Sequence, residues 1–244
     1  QAVPATAEIA LGAIVASAII GICFGAWSAY KRGKITDQVL RFISLIGLSV
    51  PTFWMAIVCF YVFYYRLGWA PGSGRLSPED SPPTHITGLY TVDALLTGNM
   101  HAFVDASAHL MLPTLVLTLY TIGLLTRYSR TSFLEVLDTD YVRAAKAKGL
   151  PGHTVFFHYV LRAASIPILT VIGLAFGSLL SGTVLVENIF GWPGIGAYAF
   201  QAASKLDLLG VMGVGLFVGL VYLTINLIID LLYGFLDPRV RVGS

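Results

Sequence analysis

Five long stretches of this chain are almost free of charge, at about 6–30, 39–65, 108–126, 160–186 and 208–235. In hydrocarbon every backbone N–H and C=O must be satisfied within the spanning structure, which leaves only helices and closed barrels. The runs are far longer than the roughly 10 residues of a barrel strand, and they approach or exceed the roughly 20 that carry a helix across about 30 Å. The expected fold class is therefore an all-α membrane protein: a polytopic bundle of five transmembrane helices in a single domain, 1–244. Composition agrees, since 11% of the residues are charged against roughly 25% in a soluble domain. A net charge of +2 that is sorted by location, with no patch, gives no support to nucleic-acid binding.

Charge sorting sets the orientation. Twelve of the 15 Lys and Arg fall in three places: after the first stretch (Lys31 to Arg41), between the third and fourth (Arg127 to Arg162), and at the C-terminus (Arg239, Arg241). Arg66, Arg75 and Lys205 remain for the other side. Basic residues stay inside, so the C-terminus is expected in the cytoplasm and Gln1 outside. Gln1 is not an initiator methionine. A removed signal peptide is one reading, and a preceding transmembrane helix is the favoured one, because it gives an even count. The loop 66–107 is then external, and 127–159 is a cytoplasmic coupling loop.

No HExxH, CxxC or GxxxxGK[ST] pattern occurs, so metal chemistry or nucleotide hydrolysis by this chain has no sequence support. Cys23 and Cys59 read as small apolar residues with no disulfide. Small residues recur every four positions at Ala13, Ser17, Gly21 and Gly25, and again at Gly173, Gly177 and Ser181, as close helix packing in lipid requires. Pro51 should kink the second span. Thr114, Thr118 and Thr121 share one helix face. With Ser181 they are candidates for a polar translocation path, or they bond their own helix carbonyls. Asn226 and Asp230 lie one turn apart. They read as structural intramembrane polar groups, with Asp230 paired to a cytoplasmic Arg or, in the rival reading, relaying protons. The turn Glu187-Asn-Ile-Phe-Gly-Trp-Pro-Gly-Ile-Gly196 reads as anchored at the membrane interface by Phe190 and Trp192.

The segment Asp140-Tyr-Val-Arg-Ala-Ala-Lys-Ala-Lys-Gly-Leu-Pro151 is too short to be a stable helix by itself, yet its sequence codes both ends of one. Thr139 or Asp140 can cap its start. Gly149 suits the position after its end, and Pro151 blocks continuation. Val142, Ala145 and Leu150 form a narrow apolar face, while Arg143, Lys146 and Lys148 carry charge. Docking on a partner fits this pattern better than burial in lipid, which calls for a bulkier apolar face.

The run Arg143-Ala-Ala-Lys-Ala-Lys-Gly149 resembles the EAA loop of ABC-importer permeases, Glu-Ala-Ala-x-x-x-Gly. The blocks Val3-Pro-Ala-Thr-Ala-Glu-Ile-Ala-Leu11, Ser49-Val-Pro-Thr-Phe-Trp54, His109-Leu-Met-Leu-Pro113, Asp140-Tyr-Val-Arg143, Glu187-Asn-Ile-Phe-Gly-Trp-Pro-Gly194 and Asp237-Pro-Arg239 are similar, in order, to those of the peptide/nickel importer permease family. Two features depart from the wider loop motif: its leading Glu is Arg143 here, and its Ile-x-Leu-Pro ending is absent at the usual spacing.

The resemblance implies a type I importer permease with a further N-terminal helix before the Val3 block. Its coupling helix would use Asp140, Tyr141, Arg143, Ala144, Ala145, Lys146, Lys148 and Gly149 against an ATPase. It also implies two cytoplasmic ATPase subunits, a second homologous permease and an extracytoplasmic substrate-binding protein. ATP and Mg would be bound by the ATPases, and no cofactor by this chain. Di- or oligopeptides are the implied substrate class; nickel complexes and glutathione stay open. The rival of a different class is a proton-driven secondary transporter using Asp230.

Overall fold

A computed structural model describes residues 2–236, and the side chains of all of these except 181 and 233–236. Asp237-Pro-Arg239 and Arg241 lie outside the described residues. The described residues form helices and connecting turns, with no strand.

Helix α1 (Ala2–Tyr30) is followed by α2 (Ile35–Ser49) and α3 (Thr52–Cys59), which continues as a π-helical stretch, Phe60–Arg66. The single kinked span expected over 39–65 is thus two helices. Pro51 sits between them with φ −60° and ψ 134°, an extended conformation. Proline offers no N–H to the preceding turn, and its ring collides with the carbonyl four residues back, so the helix ends and restarts.

Next come α4 (Tyr90–Leu96) and α5 (Met100–Leu137). Helix α5 has 38 residues, about 57 Å at 1.5 Å per residue, and exceeds the 108–126 expected at both ends. Hydropathy registers only its apolar middle. The flanks 100–107 and 127–137 mix polar with apolar residues and contain no Gly or Pro to stop the helix. The loop 66–107 is accordingly irregular only up to α4, and a third of the segment 127–159 is helix α5.

The chain then forms α6 (Asp140–Ala147) and α7 (Gly152–Thr154), which passes through a π-helical stretch, Val155–Leu161, into α8 (Arg162–Ile189). It closes with α9 (Ile195–Ser204) and α10 (Leu208–Leu236). Among the described residues four helices are long and apolar enough to cross a membrane, or five if α2 and α3 together make one broken span.

Contacts divide the chain into two units. The first comprises 1–16, 50–120 and 178–220. Its centre is polar and buried. Arg75 pairs with Glu8 at 2.7 Å, both side chains under a tenth exposed, and its guanidinium lies 3.5 Å over the Tyr90 ring. Glu8 also accepts from the Thr91 backbone N–H and hydroxyl at 2.8 and 2.6 Å. Beside this, Thr6 Oγ1 donates to Glu187 Oε1 at 2.6 Å and accepts from the Ile195 N–H at 2.8 Å. The Ala197 N–H donates to Glu187 Oε2 at 2.9 Å. Burial pushes the Glu187 carboxyl above its ordinary value, against these hydrogen bonds.

The interface anchors expected in the 187–196 turn are core residues instead. Trp192 is 1% and Phe190 3% exposed, and Trp192 Nε1 donates to the Ala5 carbonyl at 2.8 Å. A buried indole that meets its one hydrogen-bond need inside the chain has no call on the lipid interface.

The second unit comprises 17–49, 121–177 and 221 onward. Here the small-residue stripes pack helix on helix within the chain. A methyl at Gly21 would lie 2.7 Å from Leu125 Cβ, and one at Gly25 would lie 2.6 Å from Ser129 Cβ, so α1 presses directly on α5. Gly173 and Gly177 do the same for α8 against Ile229 and Tyr222 of α10.

Candidate functional site

Helix α6 is the short helix anticipated from sequence, and its ends show why it can stop where it does. Lys148 is its last half-helical residue, and Gly149 follows at φ +75°. The Gly149 N–H donates to Lys146 O at 3.0 Å, and the Leu150 N–H to Ala145 O at 3.4 Å. This pair of bonds is the Schellman motif. Its left-handed residue costs a non-glycine about 1–2 kcal/mol. The N-terminus differs from expectation. Thr139 stands at the cap position in extended conformation, but neither it nor Asp140 caps through its side chain. Thr139 Oγ1 turns back to donate to Val136 O at 2.6 Å, so it closes the end of α5.

The two faces of α6 separate cleanly. Val142 is fully buried and Ala145 is 4% exposed. Both join Ala29, Phe133, Val155, Val160, Ala164 and Ile168 in one apolar cluster of the second unit, against which Leu150 also packs. The apolar face expected to dock on a partner is therefore spent on the chain's own core, and Ala145 leaves the set of residues open to contact. Burying a side chain the size of Val142 is worth about 1.5–3 kcal/mol, which offsets the cost of ordering a helix this short. Asp140, Tyr141, Arg143, Ala144, Lys146, Ala147, Lys148 and Gly149 are exposed. The helix thus presents a basic surface with small residues between the charges, held on a rigid base.

Arg143 Nη2 donates to the Asp138 carbonyl at 2.8 Å, and Nη1 lies 3.4 Å from Asp140. Both of those paired side chains are largely solvated, so the ion pair contributes little. Arg32 reaches Asp138 at 3.0 Å, again in the open.

The sequence did not single out the buried ion pair that joins α2 to α5. Asp37, 1% exposed, accepts two bonds from Arg130, Nε at 2.7 Å and Nη2 at 2.9 Å. The Ser28 hydroxyl donates to it at 2.5 Å, and the Gly33 N–H at 3.1 Å. This fork ties the turn between α1 and α2 to α5. The available signal was Asp37 itself, a carboxylate at the head of a largely apolar run, where charge is costly unless paired. The same argument marks Glu8 within α1.

The remaining candidates do not gather at α6. Thr118 and Thr121 are buried, 5% and 3% exposed, and Thr118 Oγ1 donates to Thr114 O at 2.7 Å. Thr114 packs its methyl and hydroxyl against Gly12. The side chain of Ser181 lies outside those described. Asn226 is half-buried, and Asp230 is exposed with no ion pair to a cytoplasmic Arg among the described residues. Cys23 and Cys59 are both free thiols. Among the described residues no three His, Cys, Asp or Glu gather as metal ligands would.

Comparison with known proteins places this architecture. Residues 21–242 match the family model described as binding-protein-dependent transport system inner membrane component. The chain is 44% identical over 241 residues to the probable D,D-dipeptide transport system permease protein DdpB of Escherichia coli (strain K12), covering 99% of this chain and 71% of that protein. It is 42% identical over 239 residues to the di/tripeptide transport system permease protein DppB of Pseudomonas aeruginosa (strain UCBPP-PA14), covering 98% and 70%. Among solved structures, a chain of the MetNI methionine ABC transporter in an inward facing conformation superposes with a TM-score of 0.69. It is 13% identical, and the match covers 96% of this chain and 93% of that one. The shared fold and the near-complete sequence match together make the chain a member of the family of inner membrane components of binding-protein-dependent transport systems.

Proposed function

We propose that the chain is the permease subunit of an ATP-driven importer that carries di- or oligopeptides across the bacterial cytoplasmic membrane. The observation that carries the substrate class is identity of 39–44% over nearly the whole chain to permeases named for dipeptide, D,D-dipeptide and di/tripeptide systems. The exposed basic face of α6, on its apolar base, supports contact with a separate ATPase on the cytoplasmic side. Asp140, Tyr141, Arg143, Ala144, Lys146, Lys148 and Gly149 form that contact, and the C-terminus shares its side of the membrane.

In this reading a second homologous permease completes the pathway, two ATPases bind ATP and Mg, and an external binding protein delivers the peptide. ATP binding draws the ATPases together and moves α6 as a lever; its rigid seat passes the motion to α5 and α8. The peptide biases the cycle only by binding one state more tightly than the other.

Reconstitution with the partner subunits and a labelled dipeptide tests this. Gly149→Trp meets no atom within 4 Å at its Cβ; its left-handed backbone costs about 1–2 kcal/mol, which Gly149→Ala shares as the control, and only Trp places a large side chain on the docking face. It should abolish peptide-stimulated ATP hydrolysis while membrane insertion stays intact. Normal coupled uptake in that variant refutes the docking face. Uptake that collapses with the proton gradient while ATP is present refutes the ATP-driven reading in favour of a proton-coupled one.

A further inference from the structure

Helices α2 and α5 of the second unit touch at two points and part between them. At one point the backbones meet: a methyl on Gly123 would lie 2.5 Å from the Ser44 carbonyl oxygen. At the other, seven residues along each helix, Arg130 grips Asp37. Between the two lies a cavity of about 190 Å³, lined by Arg41, Leu45, Leu48, Thr126, Arg127 and Arg130 among others.

Its charge is unbalanced. No carboxylate lines it among the described residues, and neighbouring Asp37 is committed to Arg130, Ser28 and Gly33. Arg41 reaches it only at 3.8 Å, with its side chain 54% exposed. Arg127 is exposed and has no ion pair among the described residues. Two guanidiniums are thus available to an anion, and planar guanidinium donors suit phosphate oxygens. Thr126, 2% exposed, lines the same cavity with a buried hydroxyl that has no hydrogen-bond partner among the described residues.

The other wall is apolar, through Leu45 and Leu48, and it continues along α2 onto Phe42 and Ile46, 65% and 48% exposed. A free anion gains nothing from such a wall. A molecule with a phosphate at one end and alkyl chain at the other matches both halves. Basic pockets between transmembrane helices recognise anionic lipid headgroups in this way.

We propose that this cavity is a binding site for the phosphate of an anionic phospholipid, with Arg41 and Arg127 holding the headgroup, Thr126 donating to it, and the Leu45–Leu48 wall receiving an acyl chain. The proposal rests on the membrane-embedded fold and is independent of which substrate is carried.

The test uses the full-length protein purified with its partner subunits into nanodiscs of equal phosphatidylglycerol and phosphatidylcholine. Native mass spectrometry counts the lipids retained after delipidation. Wild type should keep phosphatidylglycerol in preference. Arg41→Gln combined with Arg127→Gln should lower that preference roughly 30-fold, from about fivefold per cation. Arg66→Gln, which also removes one exposed charge, should not alter it. An unchanged unfolding temperature in lipid-free detergent shows that the double variant is folded.

Millimolar inorganic phosphate separates the sources. If it stabilises wild type as much as phosphatidylglycerol does, and the double variant not at all, the lipid assignment is overturned in favour of a free-anion site. Equal phosphatidylglycerol retention by wild type and the double variant overturns the site altogether. Loss of the partner permease from the double variant, with lipid retention unchanged, overturns it in favour of a subunit interface.

Discussion

In the first unit the irregular segment before α4 is fastened by buried charge. Arg75 reaches inward to Glu8 and lies across Tyr90, while Asp93, 1% exposed, collects the N–H groups of Ile86, Thr87 and Gly88 at 2.8–3.2 Å. In the second unit α6 is fastened by apolar contact. Val142 and Ala145 enter a cluster of Phe, Val, Ile and Ala, and every charge on the helix is left in solvent. Arg75, Glu8 and Asp93 use their charge within the chain, where it specifies a shape and is not offered to a partner. The charges of α6 are free on a fixed base, which is the condition for reading a partner.

The largest effect is expected at Arg75. Arg75→Leu leaves the Glu8 carboxylate buried and unpaired, a loss of about 3–5 kcal/mol. The unfolding temperature in detergent should fall sharply, whereas Arg75→Met combined with Glu8→Gln should recover much of it. If the single variant melts like wild type, the loop is not held by this pair.

At α6 the corresponding change is Val142→Asn, which buries an amide among apolar side chains at about 1–3 kcal/mol. Limited proteolysis between α5 and α8 should speed up, and peptide-stimulated ATP hydrolysis should fall with it. Lys146→Ala, on the exposed face, should leave proteolysis unchanged and lower only the coupled hydrolysis. If both variants act alike on proteolysis, the two faces are not distinct.

These outcomes also mark what the sequence made legible. Helix type and the C-terminal end of α6 follow from hydropathy, Gly149 and Pro151, all local signals. The break at Pro51 was half visible: the missing N–H is in the sequence, but whether a helix kinks or ends depends on what packs around it. Trp192 and Phe190 were misplaced because an aromatic at a span end looks the same whether it faces lipid or core. Only Ala5, at the far end of the chain, decides the matter by accepting the indole N–H. Ala145 was misjudged for a related reason, since the cluster that claims it is drawn from α1, α5 and α8, beyond the reach of helix periodicity.

Acid sharpens the contrast between the units. Burial raises the Asp93 pKa, but the hydrogen bonds from Thr87, Gly88 and Ile86 outweigh it and bring it from 3.8 down to about 2. A carboxyl depressed on folding stabilises the folded form above its unfolded pKa, and that stability is lost as pH falls through the folded value. Unfolding followed between pH 4 and pH 2 should therefore show a loss in wild type that Asp93→Asn lacks, the variant being less stable at neutral pH. A parallel acid limb in the two proteins removes Asp93 as the loop's fastener.

The smallest expected effect on stability is at Arg143, where the wider loop motif carries Glu. Arg143→Glu loses a hydrogen bond to the Asp138 carbonyl and a solvated contact to Asp140, and it sets two carboxylates three residues apart on one helix. Like charges at that spacing cost about 0.2–0.5 kcal/mol, so the unfolding temperature should barely move. Function should move much more if α6 reads a partner through charge, because the substitution reverses sign at an exposed position on the proposed docking face. Peptide-stimulated ATP hydrolysis should drop in the variant and recover when a basic residue is introduced opposite it on the ATPase. A variant that loses coupling and stability together would instead mean that Arg143 serves the base of the helix, and the division between a buried apolar face and an exposed basic one would fail at its most exposed end.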